Sequence, residues 1–184
     1  MNHSNILSAS GGKDSTAMLL LAVEQGIDFQ IVFADTGNEH SAVYDYLVYL
    51  EQQLNITIKR VKADFSAEIA RKRAYVETKW REEGVLESII QDALSVLQPT
   101  GNPFLDLCLW KGRFPSRKAQ FCTEELKRNP VFEHVILPAL ELGSVDSWQG
   151  VRADESRLRA GYAEREEEGG GLVIYRPLLQ WTVQ

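Results

Sequence analysis

Cysteine is scarce in this 184-residue sequence: Cys108 and Cys122 are the only two. Two thiols cannot build a disulfide framework, nor can they alone hold a four-cysteine zinc or iron–sulfur site; they fit a reducing, cytoplasmic setting. His3, His40 and His134 are scattered and show no metal-ligand spacing. The longest uninterrupted apolar run, 17–23, is seven residues, far below the roughly 20 of a membrane-spanning helix. The N-terminus has no basic start followed by a long apolar stretch, so no secretory leader is expected and no membrane partner either. A net charge of −6 argues against a general nucleic-acid coat protein. What is present, 44% hydrophobic and 25% charged residues, is the composition of a folded globule, and the length suits one domain over 1–184.

Positive charge is clustered. Residues 59–81 hold eight basic side chains against three acidic, a pattern that also suits a solvated helix face. Residues 111–128 hold six against two, with Phe114, Pro115, Phe121 and Cys122 interleaved, a mixture expected of a loop that grips a small anion. The acidic excess lies elsewhere, at Glu164 and Glu166 to Glu168.

Periodicity predicts a strand over 5–9, a helix over 16–24 stopped by Gly26, a strand over 29–33, a helix over 40–54 and a strand over 56–61. Short connections between alternating strands and helices imply a parallel sheet covered by helices. A helical middle follows, with Phe65, Ile69, Val76 and Trp80 on one face and Leu86, Ile89, Ile90, Ala93, Leu94 and Leu97 on another. An irregular stretch is expected over 99–121, then a helix broken near Pro130 and Pro138. Strands over 145–149 and 172–178 close the pattern, separated by a flexible segment rich in Glu and Gly. The expected fold class is α/β: an open, doubly wound parallel sheet of about five strands, helices on both faces and a helical insertion in the middle. Ligands belong at the C-terminal ends of its strands.

Ser10-Gly11-Gly12-Lys13-Asp14-Ser15 falls between the first strand and the first helix. Glycines allow tight curvature and close ligand approach, and the amides and dipole of a helix start attract phosphate oxygens. Hydroxyls of Ser10 and Ser15 are candidate donors, Lys13 adds charge, and Asp14 is a candidate helix cap or magnesium ligand. The loop is neither GxxxxGK[ST] nor GxGxxG.

This loop resembles the pyrophosphate-binding loop of the adenine nucleotide α-hydrolase superfamily, which includes N-type ATP pyrophosphatases and phosphoadenosine phosphosulfate (PAPS) reductases. Four further segments are similar to the PAPS reductase branch. They are residues 33–39 with Asp35-Thr36-Gly37, residues 122–130 beginning at Cys122, residues 150–156 with Gly150, Arg152, Glu155 and the following Arg159, and residues 176–182. The resemblance spans nearly the whole chain in the right order.

It implies an adenine nucleotide across the sheet's C-terminal edge, with phosphates or sulfate over Gly11 to Ser15 and Asp35 and Thr36 near the base or ribose. Arg152 would meet the phosphates from the opposite side, with Lys13, as a catalytic group; Glu155 would orient Arg152 or Arg159. Arg117 and Lys118 would serve a ribose 3′-phosphate or a second anionic substrate. Relatives with iron–sulfur clusters carry paired cysteines where this chain has Phe121-Cys122, so no cluster is expected, while Cys108 reads as a buried apolar thiol. PAPS reductases use a nucleophilic cysteine in a C-terminal tail, and no cysteine follows Cys122 here. Either the tail is missing, Cys122 supplies the thiol, or the chemistry differs.

Three activities follow from the resemblance. One is thiol-dependent release of sulfite from a sulfonucleotide, with a thioredoxin-like thiol donor. Another is ATP pyrophosphatase or adenylating sulfurtransferase action, with magnesium on the leaving pyrophosphate. The last is non-catalytic nucleotide sensing. DNA phosphorothioation enzymes resemble the same branch, which admits a nucleic-acid substrate without favouring one; a homodimer is likewise admitted.

Overall fold

A computed structural model describes residues 2–182; Met1, Val183 and Gln184 lie outside the described residues. Six strands form one sheet: β1 (Asn2–Ala9), β2 (Gln30–Ala34), β3 (Ile58–Val61), β4 (Gly143–Trp148), β5 (Arg165–Gly169) and β6 (Leu172–Tyr175), in the order β3-β2-β1-β4-β6-β5. Five run parallel, and β5 pairs antiparallel with β6. The expectation of about five strands missed β5, placed in the supposed flexible segment. All five of its residues are exposed, so it has no apolar alternation to reveal it. The order reverses direction at β1, which pairs with β2 on one side and β4 on the other; this is a topological switch point.

The chain groups into two compact units. The first holds residues up to Ala34, Glu39–Val61, and the chain from Pro130 on; the second holds Asp35–Asn38 and Lys62–Asn129. In the first unit, successive strand residues face opposite sides. Leu7, Ile31, Phe33 and Trp148 are buried together with Met18, Leu19 and Ala22 of α1 (Lys13–Glu24) and Leu47 and Leu50 of α2 (Ser41–Leu54). Ile6, Val32, Ala34 and Val145 pack on the other face with Val131, Val135 and Ile136. Gly26 ends α1 with φ +64, the left-handed geometry expected of a helix stop.

The second unit carries α3 (Ser66–Glu82), α4 (Glu87–Val96) and α5 (Pro103–Lys111). Phe65, Leu107 and Leu126 form one core; Val76, Ile90 and Leu97 form another. The stretch expected to be irregular over 99–121 contains α5. Its Pro and Gly are boundary signals rather than breakers: Asn102 caps the amides of Phe104 and Leu105, Pro103 occupies the first turn, and Gly112 closes the end with φ +68.

Pro130 and Pro138 do not break the helix either. Helical segments follow one another from Phe121–Thr123 to Leu137–Leu140, with π turns at Glu124–Arg128 and Phe132–Ile136 just before each proline. A widened turn removes the need for the N–H that proline lacks and clears its ring from the preceding carbonyl. No helix among the described residues is long and apolar enough to cross a membrane.

Candidate functional site

The first unit brings the glycine loop and the 150–159 segment together at the β1/β4 switch point. β1 ends at Ala9 and α1 starts at Lys13, with Gly12 at its N-cap and no side chain capping it. Asp14 therefore does not cap the helix as expected: it sits inside the first turn, and Gly12 occupies the cap position. No side chain caps the first-turn amides of α1, an arrangement that attracts anions. Lys13 and Gly12 are exposed.

The two serine hydroxyls shape the loop instead of projecting from it. Ser10 Oγ donates to Ser15 Oγ at 3.1 Å, and Ser15 Oγ donates to the Gly12 carbonyl at 3.0 Å. Both hydroxyls thus have partners within the loop itself. Thr16 Oγ1 also donates to the Gly12 carbonyl at 3.0 Å, and Tyr46 Oη donates to Thr16 Oγ1 at 3.3 Å. Gly11, Lys13, Ala42, Val43 and Tyr46 line an open cleft of about 530 Å³ beside the loop.

The three glycines of the site have different reasons to be glycine. Gly11 has φ +71, and a Cβ there would come 2.8 Å from Val43 Cγ1. Gly150 passes against the start of α1, where a Cβ would lie 2.9 Å from the Asp14 carbonyl carbon and oxygen and the Ser15 nitrogen. At Gly12 a Cβ would meet only Ser10 Oγ, at 3.4 Å, so internal packing does not demand glycine at that position.

Arg152, buried, donates from Nε to Asp14 Oδ1 at 2.9 Å and from Nη1 to both Asp154 oxygens at 2.7 and 2.8 Å. The guanidinium is expected from sequence to reach outward to phosphates; two carboxylates within hydrogen-bond range turn it into a brace between the β4 loop and α1. These partners, Asp14 foremost, push the Arg152 pKa above its ordinary value, so the charge is permanent. Glu155 does not orient the Arg152 guanidinium. It accepts the Arg152 backbone N–H at 3.3 Å and pairs with Arg159. Its pKa lies below the ordinary value: burial opposes the shift, and the Arg152 N–H and Arg159 outweigh it. Asp154 escaped the sequence reading, although it stands two residues from Arg152 on the same turn.

The remaining expected residues lie in the second unit. Asp35 is buried, accepts the Gly37 N–H at 3.0 Å and pairs with Lys62 at 3.0 Å. The Thr36 carbonyl accepts from Phe104 N–H at 3.0 Å, and Asn102 Nδ2 donates to the Gly37 carbonyl at 2.7 Å, so the Asp-Thr-Gly turn is fastened to the start of α5. Lys62 is a second residue that sequence reading missed. Arg117 and Lys118 are exposed at the corner of a turn closed by Ser116 and Ala119. Cys122 is half-buried in the Phe65 cluster, whereas burial, assisted by Cys122, pushes the Cys108 thiol above its ordinary pKa.

A family model for the phosphoadenosine phosphosulfate reductase domain matches residues 4–184. An uncharacterized 37.8 kDa protein in the gpa 5′ region of Escherichia phage 186 is 51% identical over 191 residues, covering 97% of this chain and 57% of its own. The uncharacterized nin region protein ORF290 of Escherichia phage lambda is 30% identical over 156 residues, covering 83% of this chain and 49% of its own. The chain thus spans about half the length of these curated relatives. The fold is similar to a crystal structure of PAPS reductase from Candida auris in a phosphate complex, with TM-score 0.55, 16% identity, and coverage of 97% of this chain and 67% of that one.

Proposed function

The chain belongs to the phosphoadenosine phosphosulfate reductase domain family, and from that premise we propose that it binds an adenine nucleotide with the anionic groups over residues 11–15. The observation that carries this reading is the uncapped start of α1, joined to a glycine at position 12 that packing does not require. Backbone amides there hold phosphate or sulfate oxygens, and Lys13 offsets their charge. Ser15 and Thr16 donate to the Gly12 carbonyl and Ser10 to the Ser15 hydroxyl, which ties the loop to the first turn of α1. Asp14, Arg152 and Asp154 hold the β4 loop against the start of α1, so Arg152 acts chiefly as a positioning residue.

The reaction proposed is reductive release of sulfite from an adenylyl sulfonucleotide. A thiolate attacks the sulfonate sulfur, the S–O bond to the 5′-phosphate breaks, and its electron pair leaves with the nucleotide. A second thiol then attacks the sulfur of the resulting thiosulfonate that belongs to the thiol, expelling sulfite and leaving a disulfide. The thiols come from a thioredoxin-like dithiol, or one of them from Cys122. Lys13 stabilises charge on the departing phosphate.

The state of the cysteines favours a second reading, ATP pyrophosphatase action. Cys108 is buried with its thiol pKa raised, and Cys122 packs among aromatic side chains. A thiol held protonated by burial, as at Cys108, is a poor nucleophile, and Cys122 is half-buried in an apolar cluster. Magnesium would then supply charge neutralisation on the pyrophosphate. Asp14 is a poor ligand for it, because Arg152 already neutralises that carboxylate. Sulfite release from PAPS with a dithiol selects the first reading; pyrophosphate release from ATP and magnesium selects the second; tight binding with neither product identifies a nucleotide sensor.

A further inference from the structure

The two basic stretches of the sequence have opposite fates. All eight cations of residues 59–81 are used inside the protein. Arg60 pairs with Glu51, Lys62 with Asp35, Arg71 with Glu68, Lys79 with Glu82 and Arg81 with Glu87. Lys59 donates to the His134 carbonyl, Lys72 to those of Leu109 and Trp110, and Arg73 to those of Leu94 and Leu97. Each cation of the first stretch has a partner within the protein.

Residues 111–118 differ. This segment of the second unit has four basic side chains and no acidic one, in a chain of net charge −6. Lys111 is held by Glu125 at 2.7 Å and lies 3.6 Å above the Trp110 ring. Arg113 rests 5.6 Å from the Phe121 ring centroid. Ser116 and Ala119 exchange backbone hydrogen bonds of 3.2 and 2.9 Å, which puts Arg117 and Lys118 at the two corner positions of a tight turn. Among the described residues, neither corner side chain forms an ion pair. Between them and Arg113 stands Phe114, 68% exposed, its ring centroid 6.3 Å from that of Phe104.

An unpaired cationic corner has little to gain from folding, and an exposed phenyl ring loses by it; both are explained by a partner that supplies phosphates and flat rings. We propose that residues 113–118 bind single-stranded nucleic acid, with Arg113, Arg117 and Lys118 on backbone phosphates and Phe114 stacked on a base. An acidic protein would satisfy the cations without using the ring's flat face, and a single aromatic anchors weakly to a bilayer. Single strands offer both groups side by side. This surface uses residues of the second unit and none of the proposed nucleotide loop, so it stands or falls without that loop.

The test is fluorescence anisotropy of a labelled thymidine oligonucleotide of about 15 nucleotides, titrated with the intact chain across a salt series. Binding is expected to weaken with salt. Arg117→Gln/Lys118→Gln should weaken it roughly tenfold or more and flatten the log–log salt slope by about 0.7 for each phosphate no longer bound; Phe114→Ala should weaken it roughly fivefold or more without changing that slope. Lys13→Ala should bind the oligonucleotide like the parent, whatever it does to ATP or PAPS, which separates this surface from the nucleotide loop. Circular dichroism checks that each variant is folded. Undetectable oligonucleotide binding at low salt, or affinity unchanged in the double variant, overturns the proposal. So does equal competition by polyglutamate, or preferential binding to phosphatidylserine vesicles. A loss of affinity for adenosine 3′,5′-bisphosphate but not for the oligonucleotide in the double variant would instead assign the corner to a ribose 3′-phosphate.

Discussion

Arg152 Nε donates to Asp14 Oδ1 at 2.9 Å, across 138 positions of sequence, and this pair fastens the loop after β4 to the first turn of α1. Asp154 completes the clasp from the other end of the guanidinium. Groups that act as one unit give non-additive effects. Arg152→Gln and Asp14→Asn should each lower Tm, and the double variant should fall short of the sum of the two. Strict additivity of the Tm changes would show that the pair is not coupled.

Gly150 and Gly12 should respond unequally to the same added methyl group. At Gly150 the methyl meets backbone of Asp14 and Ser15 at 2.9 Å, which side-chain movement cannot relieve. Gly150→Ala should cost about 1–3 kcal/mol, with Tm falling by roughly 2–4 °C for each kcal/mol in a chain of this size. Gly12→Ala meets only Ser10 Oγ at 3.4 Å and gives up only the preference of an N-cap for glycine over alanine, so its Tm should fall by less than that of Gly150→Ala. Thermal denaturation of both proteins side by side checks this, and an equal loss at the two positions would contradict it.

Acid should remove a specific link between α2 and β3. Glu51 takes the Arg60 guanidinium at 2.7 and 3.0 Å and the Ile58 N–H at 2.8 Å. Arg60, with the Ile58 N–H and against a smaller opposing effect of burial, holds the Glu51 carboxyl below its ordinary value of 4.5. Because the folded value is depressed, the stabilisation is complete above the unfolded value and is lost as pH falls through the folded one. Glu51→Gln should therefore have a lower Tm than the parent at neutral pH, with the gap closing in acid. A gap independent of pH would refute the link.

The two thiols should differ in reactivity. Cys108 is 8% exposed and its thiol is held in the protonated form by burial, while Cys122 is half-buried. Alkylation with iodoacetamide followed by peptide mass spectrometry should modify Cys122 first. Earlier modification of Cys108 would show that its helix opens more readily than the folded packing implies.

Much of this fold was legible because the first three strands and two helices are joined by short connections, each with its own period. Gly26 and the cap at His40 fix their boundaries locally. β5 was not legible: Arg165, Glu166 and Glu167 pair with β6 but all stay exposed, so the strand buries no apolar face that would show as alternation. α5 was hidden by its own boundary residues, since Asn102, Pro103 and Gly112 signal a start and a stop as well as a loop. Of the candidate site, the glycine loop could be read from composition and placement. The use of its serines could not, because the same hydroxyl suits a ligand or a carbonyl, and only the folded loop puts the Gly12 carbonyl 3.0 Å from Ser15 Oγ. Likewise Arg152 is an anion-binding side chain in sequence and a brace in the structure, and the difference lies in Asp14, which arrives from the other end of the chain.

Isothermal titration calorimetry of ATP and PAPS against the parent and Gly12→Ala tests the phosphate-binding role of the loop most directly. Position 12 has room for the methyl group in the folded chain but stands where the anion would approach. Expected is saturable binding of at least one nucleotide to the parent and a loss of roughly tenfold or more in the variant, which circular dichroism should show to be folded. Equal affinity in the two folded proteins, or no nucleotide bound by the parent, would contradict it.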